Sequence, residues 1–298
     1  MTNADSVKAR LKNQAKADSR MFQDKLIAFA LERAIYRISI SDYADHFTLK
    51  GGIFLYAVFD KQFVRATRDI DLEGQRISND VNSIKEIFME IFSLKCDDAI
   101  YFDLNTLDVK NITEFKEYHG VNVTIMSYLD HTRIPVSIDI GFGDVVFPDR
   151  VKMEFPVLLD MDAPSIFAYS LYSVVAEKFE AMTSLGLVNS RYKDFYDIYV
   201  IAASFDLNGR TLKDAIVETF SHRQTGYQDI VPLDESFPDD PMRQTGWNAF
   251  ISKKKATREV AFADVMNVIR TLMIPIVKSI QAESEFRAVW NHHEMNWD

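Results

Sequence analysis

The alternation of apolar and polar residues predicts two structurally different parts of the chain. Apolar positions recur at helical spacing over residues 5–40, and further helices are predicted over Gly52–Phe59 and Val81–Ser93. Strict alternation then predicts two strands, Val121–Leu129 and Ile134–Phe142, joined by a polar turn. The first part of the chain therefore combines helices with strands.

The second part, from Pro164 onward, has a helical pattern almost throughout. Within it, residues 225–252 are rich in Pro, Gly, Gln and Asp and predict a long irregular connection. The boundary between the parts falls near residues 155–165. We therefore expect residues 1–160 to form an α/β domain with N-terminal helices, and residues 161–298 to form a helical domain. The helices predicted in this second part are Ser165–Ser184, Arg191–Phe205, Thr211–Arg223 and Thr257–Glu285.

Two aspartates, Asp69 and Asp71, lie two positions apart in a segment that predicts a strand. Side chains at such positions point to the same face of a sheet, so the two carboxylates project together. Like charges repel unless a cation lies between them, and a divalent metal carrying the phosphates of a nucleotide is a suitable cation. The helix predicted after Gly51 and Gly52 would direct its N-terminal amides at the same place. We therefore expect a metal site beside a glycine turn.

A third aspartate, Asp139, lies on the second predicted strand. In the segment IPVSIDIGF the apolar residues alternate on one face, and Asp139 lies on the other. The three aspartates could instead cap helices, form turns or lie on the surface. Their apolar neighbours at alternate positions favour the metal site.

A lysine on the apolar side of a predicted helix, Lys178, needs an anionic partner. Its neighbours three and four residues away, such as Val174 and Met182, are apolar. A bound triphosphate would supply the negative charge, and so would a structural salt bridge, for example to Asp194. Arg191 lies three residues before Asp194, which is a common stabilising spacing and weak evidence by itself.

The balance of charges excludes a nucleic-acid footprint over the whole surface. The chain has 34 Lys and Arg against 44 Asp and Glu, a formal net charge of −10, whereas phosphate binding requires clustered cations. Any RNA site must then be a local basic patch. The candidates are Arg65 with Arg68, residues 191–193 and residues 253–255, each of which is more often ordinary solvated surface.

Length and composition fit a two-domain cytoplasmic protein that does not contact a membrane. The 298 residues are enough for two ordinary domains, or for one domain with a helical extension. No apolar run approaches the roughly 18 residues of a membrane span, and the N-terminus is polar where a signal peptide would be apolar. The single cysteine, Cys96, has no second cysteine with which to form an internal disulfide.

Taken together, these motifs resemble the AbiEii/AbiGii toxin family of nucleotidyltransferases. The resemblance implies an α+β fold, in which the mixed sheet of a DNA-polymerase-β-like nucleotidyltransferase, with flanking helices, is followed by a helical C-terminal half. It covers roughly residues 45–205 and is not recognised beyond about residue 210. The segments that carry it are Gly51-Gly52, RATRDIDL at 65–72, Asp139, AEKF at 176–179 and NSRYKDFYD at 189–197.

The resemblance also implies a chemistry and a biological setting. It implies binding of a nucleoside triphosphate, dependence on Mg²⁺ or Mn²⁺, and membership of a bacterial toxin–antitoxin or phage-defence pair. The partner would be an AbiEi-like antitoxin, and some relatives transfer nucleotides to the acceptor end of tRNA. By motif, Asp69 and Asp71 match the metal ligands of the family, and Gly51 and Gly52 match its phosphate-side turn. Lys178 matches the nucleotide-binding lysine, and Asp194 matches the later acidic residue.

Two assignments are less direct. Asp139 matches the third metal-binding carboxylate by its strand placement, and Arg68 would offset charge on the triphosphate together with Lys178. Many nucleotidyltransferases have Gly-Ser at the turn, whereas Gly52 has no hydroxyl. Phosphate contacts at the turn would therefore come from backbone amides.

The catalytic hypothesis is in-line attack by a hydroxyl of the acceptor on the α-phosphate of the bound nucleotide, with pyrophosphate leaving. The leading hypothesis makes RNA, in particular tRNA, the acceptor. One alternative keeps the chemistry but transfers the nucleotide to a protein hydroxyl or a small molecule. Another is a nucleotide-binding regulator without transfer activity.

Overall fold

The chain folds into two compact units, which we call the sheet unit and the helical unit. The sheet unit consists of Met1–Gly143 and Arg150–Ala168, and the helical unit consists of Asp144–Asp149 and Tyr169–Asp298. The structure is a computed structural model that describes residues 2–60, 67–112, 120–252 and 260–298.

A seven-stranded mixed sheet forms the centre of the sheet unit, which confirms the predicted sheet. Its strands are β1 Phe47–Lys50, β2 Ile70–Gly74, β3 Ile100–Ile112, β4 Gly120–Leu129, β5 Thr132–Phe142, β6 Val151–Glu154 and β7 Ser165–Ala168. Their order across the sheet is β3-β4-β5-β2-β1-β7-β6. β2 pairs in parallel with β5 and antiparallel with β1, so it lies in the interior of the sheet.

Four described helices flank this sheet. They are α1 Ala4–Ala17, α2 Phe22–Ser39, α3 Gly51–Val58 and α4 Val81–Ser93. Asn3 and Asp80 cap α1 and α4 by accepting hydrogen bonds from backbone N–H groups of the first turn. The helix predicted over residues 5–40 is broken after α1, where Ser19 has a φ of 54°, and the chain then continues as α2.

The two faces of the sheet differ in polarity because side chains alternate along each strand. The apolar face packs against α2 and α4, as in the contact of Phe47 with Phe88, whose ring centroids are 5.5 Å apart. The opposite face carries polar side chains at in-register positions, including Lys50, Asp71 and Asp139. A shift of one residue would bury these charges, so burial of the apolar face fixes the register.

The helical unit confirms the helical character predicted for the second part of the chain. Its described elements are α5 Leu171–Leu185, α6 Tyr192–Ala202, α7 Gly209–His222, α8 Pro241–Ser252 and α9 Phe262–Gln281, with a small sheet of β8 Leu207–Asn208, β9 Val289–Asn291 and β10 Asn296–Trp297. Aromatic rings form part of its core. Trp247 lies 5.0 Å from Phe262 and 6.3 Å from Tyr192, measured between ring centroids.

Three sequence-based expectations about secondary structure were wrong. Residues 165–168 form β7 instead of the start of a helix, because four residues are too few to define a period. Residues 225–252 include α8, whose Gly246 packs so closely on Tyr192 that a Cβ atom would overlap the hydroxyl. Strand β3 was not predicted, because a register shift within it interrupts the alternation.

Helix length and polarity bear on the expectation that the chain does not contact a membrane. In the described ranges, no helix combines the length and the apolar character needed to cross a bilayer.

Candidate active site

Gly51 and Gly52 form the turn between β1 and α3. Gly51 has a φ of +64°, in the left-handed region that favours glycine. A Cβ atom at this position would overlap Oδ2 of Asp71, so any side chain would displace that carboxylate. The backbone N–H of Gly52 donates a hydrogen bond to the same oxygen over 3.2 Å. The glycine pair therefore turns the chain and holds Asp71 against the start of α3.

Asp69, Asp71 and Asp139, which we call the carboxylate triad, converge on the polar face of the sheet. Asp71 and Asp139 are in-register partners on the parallel strands β2 and β5, and Asp69 directly precedes β2. One carboxylate oxygen from each residue lies within 4.8 Å of the other two, and all three residues are partly exposed. The structure thus brings together the three carboxylates identified from the sequence, while metal binding by them stays a prediction.

An amide from the neighbouring strand orients the third carboxylate. Asn122 lies opposite Asp139 in the antiparallel pair of β4 and β5. Its Nδ2 donates to Oδ1 of Asp139 over 2.6 Å and to the hydroxyl of Ser137 over 2.9 Å. Because both contacts come from one amide group, Asn122 fixes the direction in which Asp139 faces.

A buried ion pair lies beside the triad on the same face. Lys50 is the in-register partner of Asp71 on β1, and its Nζ lies 2.8 Å from Oε2 of Glu73, whose side chain is 1 % exposed. Gly141 leaves room for this pair, since a Cβ atom there would lie 2.9 Å from Nζ of Lys50. The site therefore contains a fixed cation next to its carboxylates.

Sequence reasoning missed Lys50, Glu73 and Asn122. Lys50 directly precedes Gly51, and Glu73 follows Asp71 by two positions. Asn122 is a polar residue within a predicted strand. Those positions are the available signals. Their meaning depends on which strands pair and in which register, which one sequence does not give.

The donor set of the triad fits a hard divalent cation. Mg²⁺ and Mn²⁺ take carboxylate oxygens as ligands, and three negative charges within 4.8 Å favour a cation among them. The glycine at position 51 is a second indication, because it keeps the space in which the Asp71 carboxylate lies. The residues present are thus compatible with the metal cofactor expected from the sequence.

Of the two arginines predicted beside the site, Arg68 lies within the described residues and Arg65 does not. The backbone N–H of Arg68 donates to Oδ1 of Asp69 over 3.2 Å, and the Arg68 side chain is exposed. Its contact with a nucleotide stays a prediction. Arg65 lies outside the described residues, as do residues 253–255 of the triple lysine.

Lys178, Arg191, Asp194 and Asp197 form an ion-pair network in the helical unit, which we call the lysine cluster. Nζ of Lys178 lies 2.8 Å from a carboxylate oxygen of Asp194 and 2.8 Å from one of Asp197. Nε of Arg191 lies 2.9 Å from the other oxygen of Asp194. The salt bridge considered from the sequence is therefore present, and a role for Lys178 and Asp194 in nucleotide binding stays a prediction.

The lysine cluster determines the protonation of Asp194. Burial raises the pKa of this carboxyl, but the charges of Lys178 and Arg191 outweigh burial and hold the pKa below its ordinary value. Asp194 is 1 % exposed, and Asp197 is fully buried. The cluster is therefore a compact set of opposed charges at neutral pH.

Two solved structures from Helicobacter pylori resemble this chain at 11 % sequence identity. One, named "putative nucleotidyltransferase from H. pylori", has a TM-score of 0.51, with 86 % of this chain and 96 % of that chain covered. The other, JHP933, has a TM-score of 0.49, with 85 % and 92 % covered. The first likeness shows a shared fold. No curated protein matches the sequence.

The family assignment comes from the sequence over most of its length. Residues 33–268 match the family model described as "Nucleotidyl transferase AbiEii toxin, Type IV TA system". This match extends well beyond residue 210, where the resemblance in the motifs ended. The chain belongs to the AbiEii family of nucleotidyltransferase toxins of type IV toxin–antitoxin systems.

Proposed function

We propose that this nucleotidyltransferase moves a nucleoside monophosphate from a nucleoside triphosphate to a hydroxyl of an RNA acceptor, in particular tRNA, in a reaction that requires Mg²⁺ or Mn²⁺. The convergence of Asp69, Asp71 and Asp139 beside a glycine turn is the observation that carries this proposal. Family membership implies a nucleotide substrate and an antitoxin partner. An AbiEi-like protein is the antitoxin we expect.

In this mechanism the triad holds the divalent cations. When bound, such cations stabilise the negative charge that develops on phosphate oxygens during in-line displacement. The Gly52 N–H donates to Asp71, and the positive partial charge at the N-terminus of α3 would favour phosphates nearby. These groups are fixed before the substrate arrives, so they stabilise the transition state without a cost of reorganisation.

The acceptor hydroxyl loses its proton as it attacks. We expect Asp139 to receive that proton, and the 2.6 Å hydrogen bond from Asn122 that orients its carboxylate supports this role. A bond forms between the acceptor oxygen and the α-phosphorus, and the bond from that phosphorus to the bridging oxygen of pyrophosphate breaks. Pyrophosphate carries away the electron pair of the broken bond.

In this proposal the lysine cluster contacts a phosphate group of the nucleotide. We expect Lys178 to bind a phosphate of the nucleotide, with Asp194 and Asp197 holding its ammonium group in place. In that case Asp194 is a positioning residue. A Lys178→Arg variant would keep a cation beside both aspartates, so a change in its affinity for nucleotide without loss of stability would support the contact.

Labelled nucleotides provide the direct test. Purified protein is incubated with total RNA, a divalent cation and each of the four labelled triphosphates, and we expect label in tRNA that chelation with EDTA abolishes. Asp71→Asn should reduce transfer at least about a hundredfold, because metal stabilisation is worth several kcal/mol. Asp42→Asn, at an exposed position, is the matched control.

Each other outcome of this experiment contradicts part of the proposal. Label in a cell lysate that survives RNase but not protease would make a protein the acceptor. Nucleotide binding without any turnover would indicate a regulator. Full toxicity of Asp71→Asn in cells, with no labelled RNA for the wild type, would overturn nucleotide transfer as the toxic activity.

A further inference from the structure

Three cations and a phenylalanine ring lie together at one edge of the sheet, and we call this group the edge patch. The Arg150 guanidinium carbon lies 3.9 Å from the ring centroid of Phe167, and Nζ of Lys152 lies 5.8 Å from it. Arg76 lies near Arg150. Burial and then the charge of Arg76 lower the pKa of Arg150, and the charge of Asp45 opposes them.

The described cations of the edge patch, Arg76, Arg150 and Lys152, form no salt bridge with a described carboxylate, because none lies within the 4.0 Å salt-bridge distance. Arg150 instead donates to the backbone carbonyl of Asp45 over 2.8 Å and to the hydroxyl of Thr48 over 3.4 Å. In a chain with a formal charge of −10, a group of cations without ion pairs is a distinct feature of the surface.

Strand register places Phe167 and Lys152 of the edge patch on the face that carries the carboxylate triad. Phe167 on β7 pairs with both Thr48 on β1 and Lys152 on β6. Thr48 lies two positions from Lys50, the partner of Asp71, so all these side chains project to the same face. Three strand spacings, about 14 Å, separate β2 from β6.

We propose that the edge patch binds the RNA acceptor in a single-stranded segment, with Arg76 and Lys152 contacting backbone phosphates. The Arg150 guanidinium lies over the Phe167 ring, and in this proposal it stacks with one unpaired base. The edge patch and the triad would then contact different parts of the same acceptor. This inference rests on the proposed function and names the surface by which that reaction recognises its acceptor.

The choice of RNA follows from charge and shape. Phosphate groups require clustered cations, and the edge patch supplies three in a protein that is otherwise acidic. A ring supporting an arginine plane suits a splayed base, which a duplex does not offer. The chain's net charge opposes non-specific binding, so a local patch is needed to recruit a polyanion.

The experiment measures RNA binding by the full-length protein as a function of salt. A fluorescent single-stranded RNA is titrated by anisotropy against the wild type and the double variant Arg76→Glu/Lys152→Glu. We expect the variant to bind at least about tenfold more weakly, and to lose about 1.4 from the slope of log affinity against log salt, or about 0.7 per lost phosphate contact. Arg10→Glu/Lys12→Glu, at exposed positions of α1, makes the same change in charge and should bind like the wild type.

Transfer kinetics add a second readout. In the labelling reaction, the KM for RNA should rise in the edge-patch variant while the KM for the triphosphate stays unchanged. The milder variant Arg76→Gln/Lys152→Gln should show a smaller change in the same direction. Its thermal melting curve, compared with that of the wild type, guards against a folding defect.

Two results would overturn the inference. One is wild-type RNA affinity and salt slope in both edge-patch variants, and the other is equal weakening by the α1 control. Preference of the wild type for duplex RNA over single strands would overturn the stacking contact. If the edge patch binds RNA but the wild type transfers no nucleotide to it, the proposed function fails while the edge patch stands.

Discussion

The carboxylate triad of the sheet unit and the lysine cluster of the helical unit both hold acidic side chains, but they arrange charge in opposite ways. In the triad, three carboxylates approach within 4.8 Å of one another, and neutral groups from Gly52 and Asn122 donate hydrogen bonds to them. In the lysine cluster, two cations lie 2.8 to 2.9 Å from two buried carboxylates.

The difference separates a cluster of like charges from a network in which opposite charges are paired within the fold. Opposite charges in direct contact attract each other, although the cost of burying them offsets much of that attraction. In the triad the carboxylates approach one another, and the fold maintains this arrangement through the glycine turn, the register of β2 and β5 and the nearby Lys50. Substitutions in the two regions should therefore fail in different ways.

The largest expected effect is on stability and comes from Lys178→Met. Removing the ammonium group takes one ion partner from two carboxylates that are at most 1 % exposed. We expect the free energy of unfolding to fall by about 3–5 kcal/mol, as when a buried ion pair loses one partner. Urea unfolding followed by circular dichroism measures this change.

Lys110→Met is the matched control for that prediction. Lys110 pairs with Asp108 on the surface, where the two side chains are 74 % and 51 % exposed, and such exposed pairs contribute little to stability. If Lys178→Met proved as stable as the control, the lysine cluster would not be a stabilising network, and its ion pairs would instead serve the nucleotide.

The next effect is on activity and comes from Gly51→Ala. The added methyl overlaps Oδ2 of Asp71, and a displacement of about 1 Å in a catalytic group can cost about a hundredfold in rate. The left-handed φ adds about 1–2 kcal/mol of instability. Gly186→Ala separates the two effects, because Gly186 has a φ of +49° and a Cβ atom there has no neighbour within 4 Å.

We therefore expect both glycine variants to lose stability and only Gly51→Ala to lose nucleotide transfer. Transfer assays and thermal melts on both proteins check this. Wild-type transfer by Gly51→Ala would mean that the Asp71 carboxylate moves without consequence, which is incompatible with a fixed metal site at the triad.

The same comparison explains what the sequence could predict. Asp69, Asp71 and Asp139 were found because positions two apart on a strand share a face, a rule that needs no tertiary information. Asn122, Lys50 and Glu73 were missed because each acts across a strand pair. Their roles depend on the order β4-β5-β2-β1, and strand order is decided by the packing of the whole sheet.

Secondary structure was predicted well where one pattern ran long enough. Helix α4 and strands β4 and β5 have 10 to 13 residues with clear periods and were located closely. β7 is only 4 residues long, and in α8 the glycine and proline suggested a loop. In both, contacts made elsewhere in the fold decided the structure, as when Gly246 packs against the Tyr192 ring.

The smallest expected effect is the loss of stability on acidification, to which Asp194 of the lysine cluster contributes. Lys178 and Arg191 hold the pKa of Asp194 in the folded state below its ordinary value, which is about 3.9 in the unfolded chain. On acidification the unfolded chain therefore takes up this proton first. The contribution of Asp194 to stability is present above about pH 4 and is lost as the pH falls through the lower, folded-state pKa.

Asp194→Asn keeps the size of the side chain but removes this titration. The wild type should then lose more unfolding free energy between about pH 7 and about pH 3 than the variant does, as measured by urea unfolding at each pH. Asp42→Asn, at an exposed position, should follow the wild-type pH dependence. An equally steep acid loss in Asp194→Asn would place the acid-sensitive charges outside the lysine cluster, and the two regions would then differ in geometry but not in electrostatics.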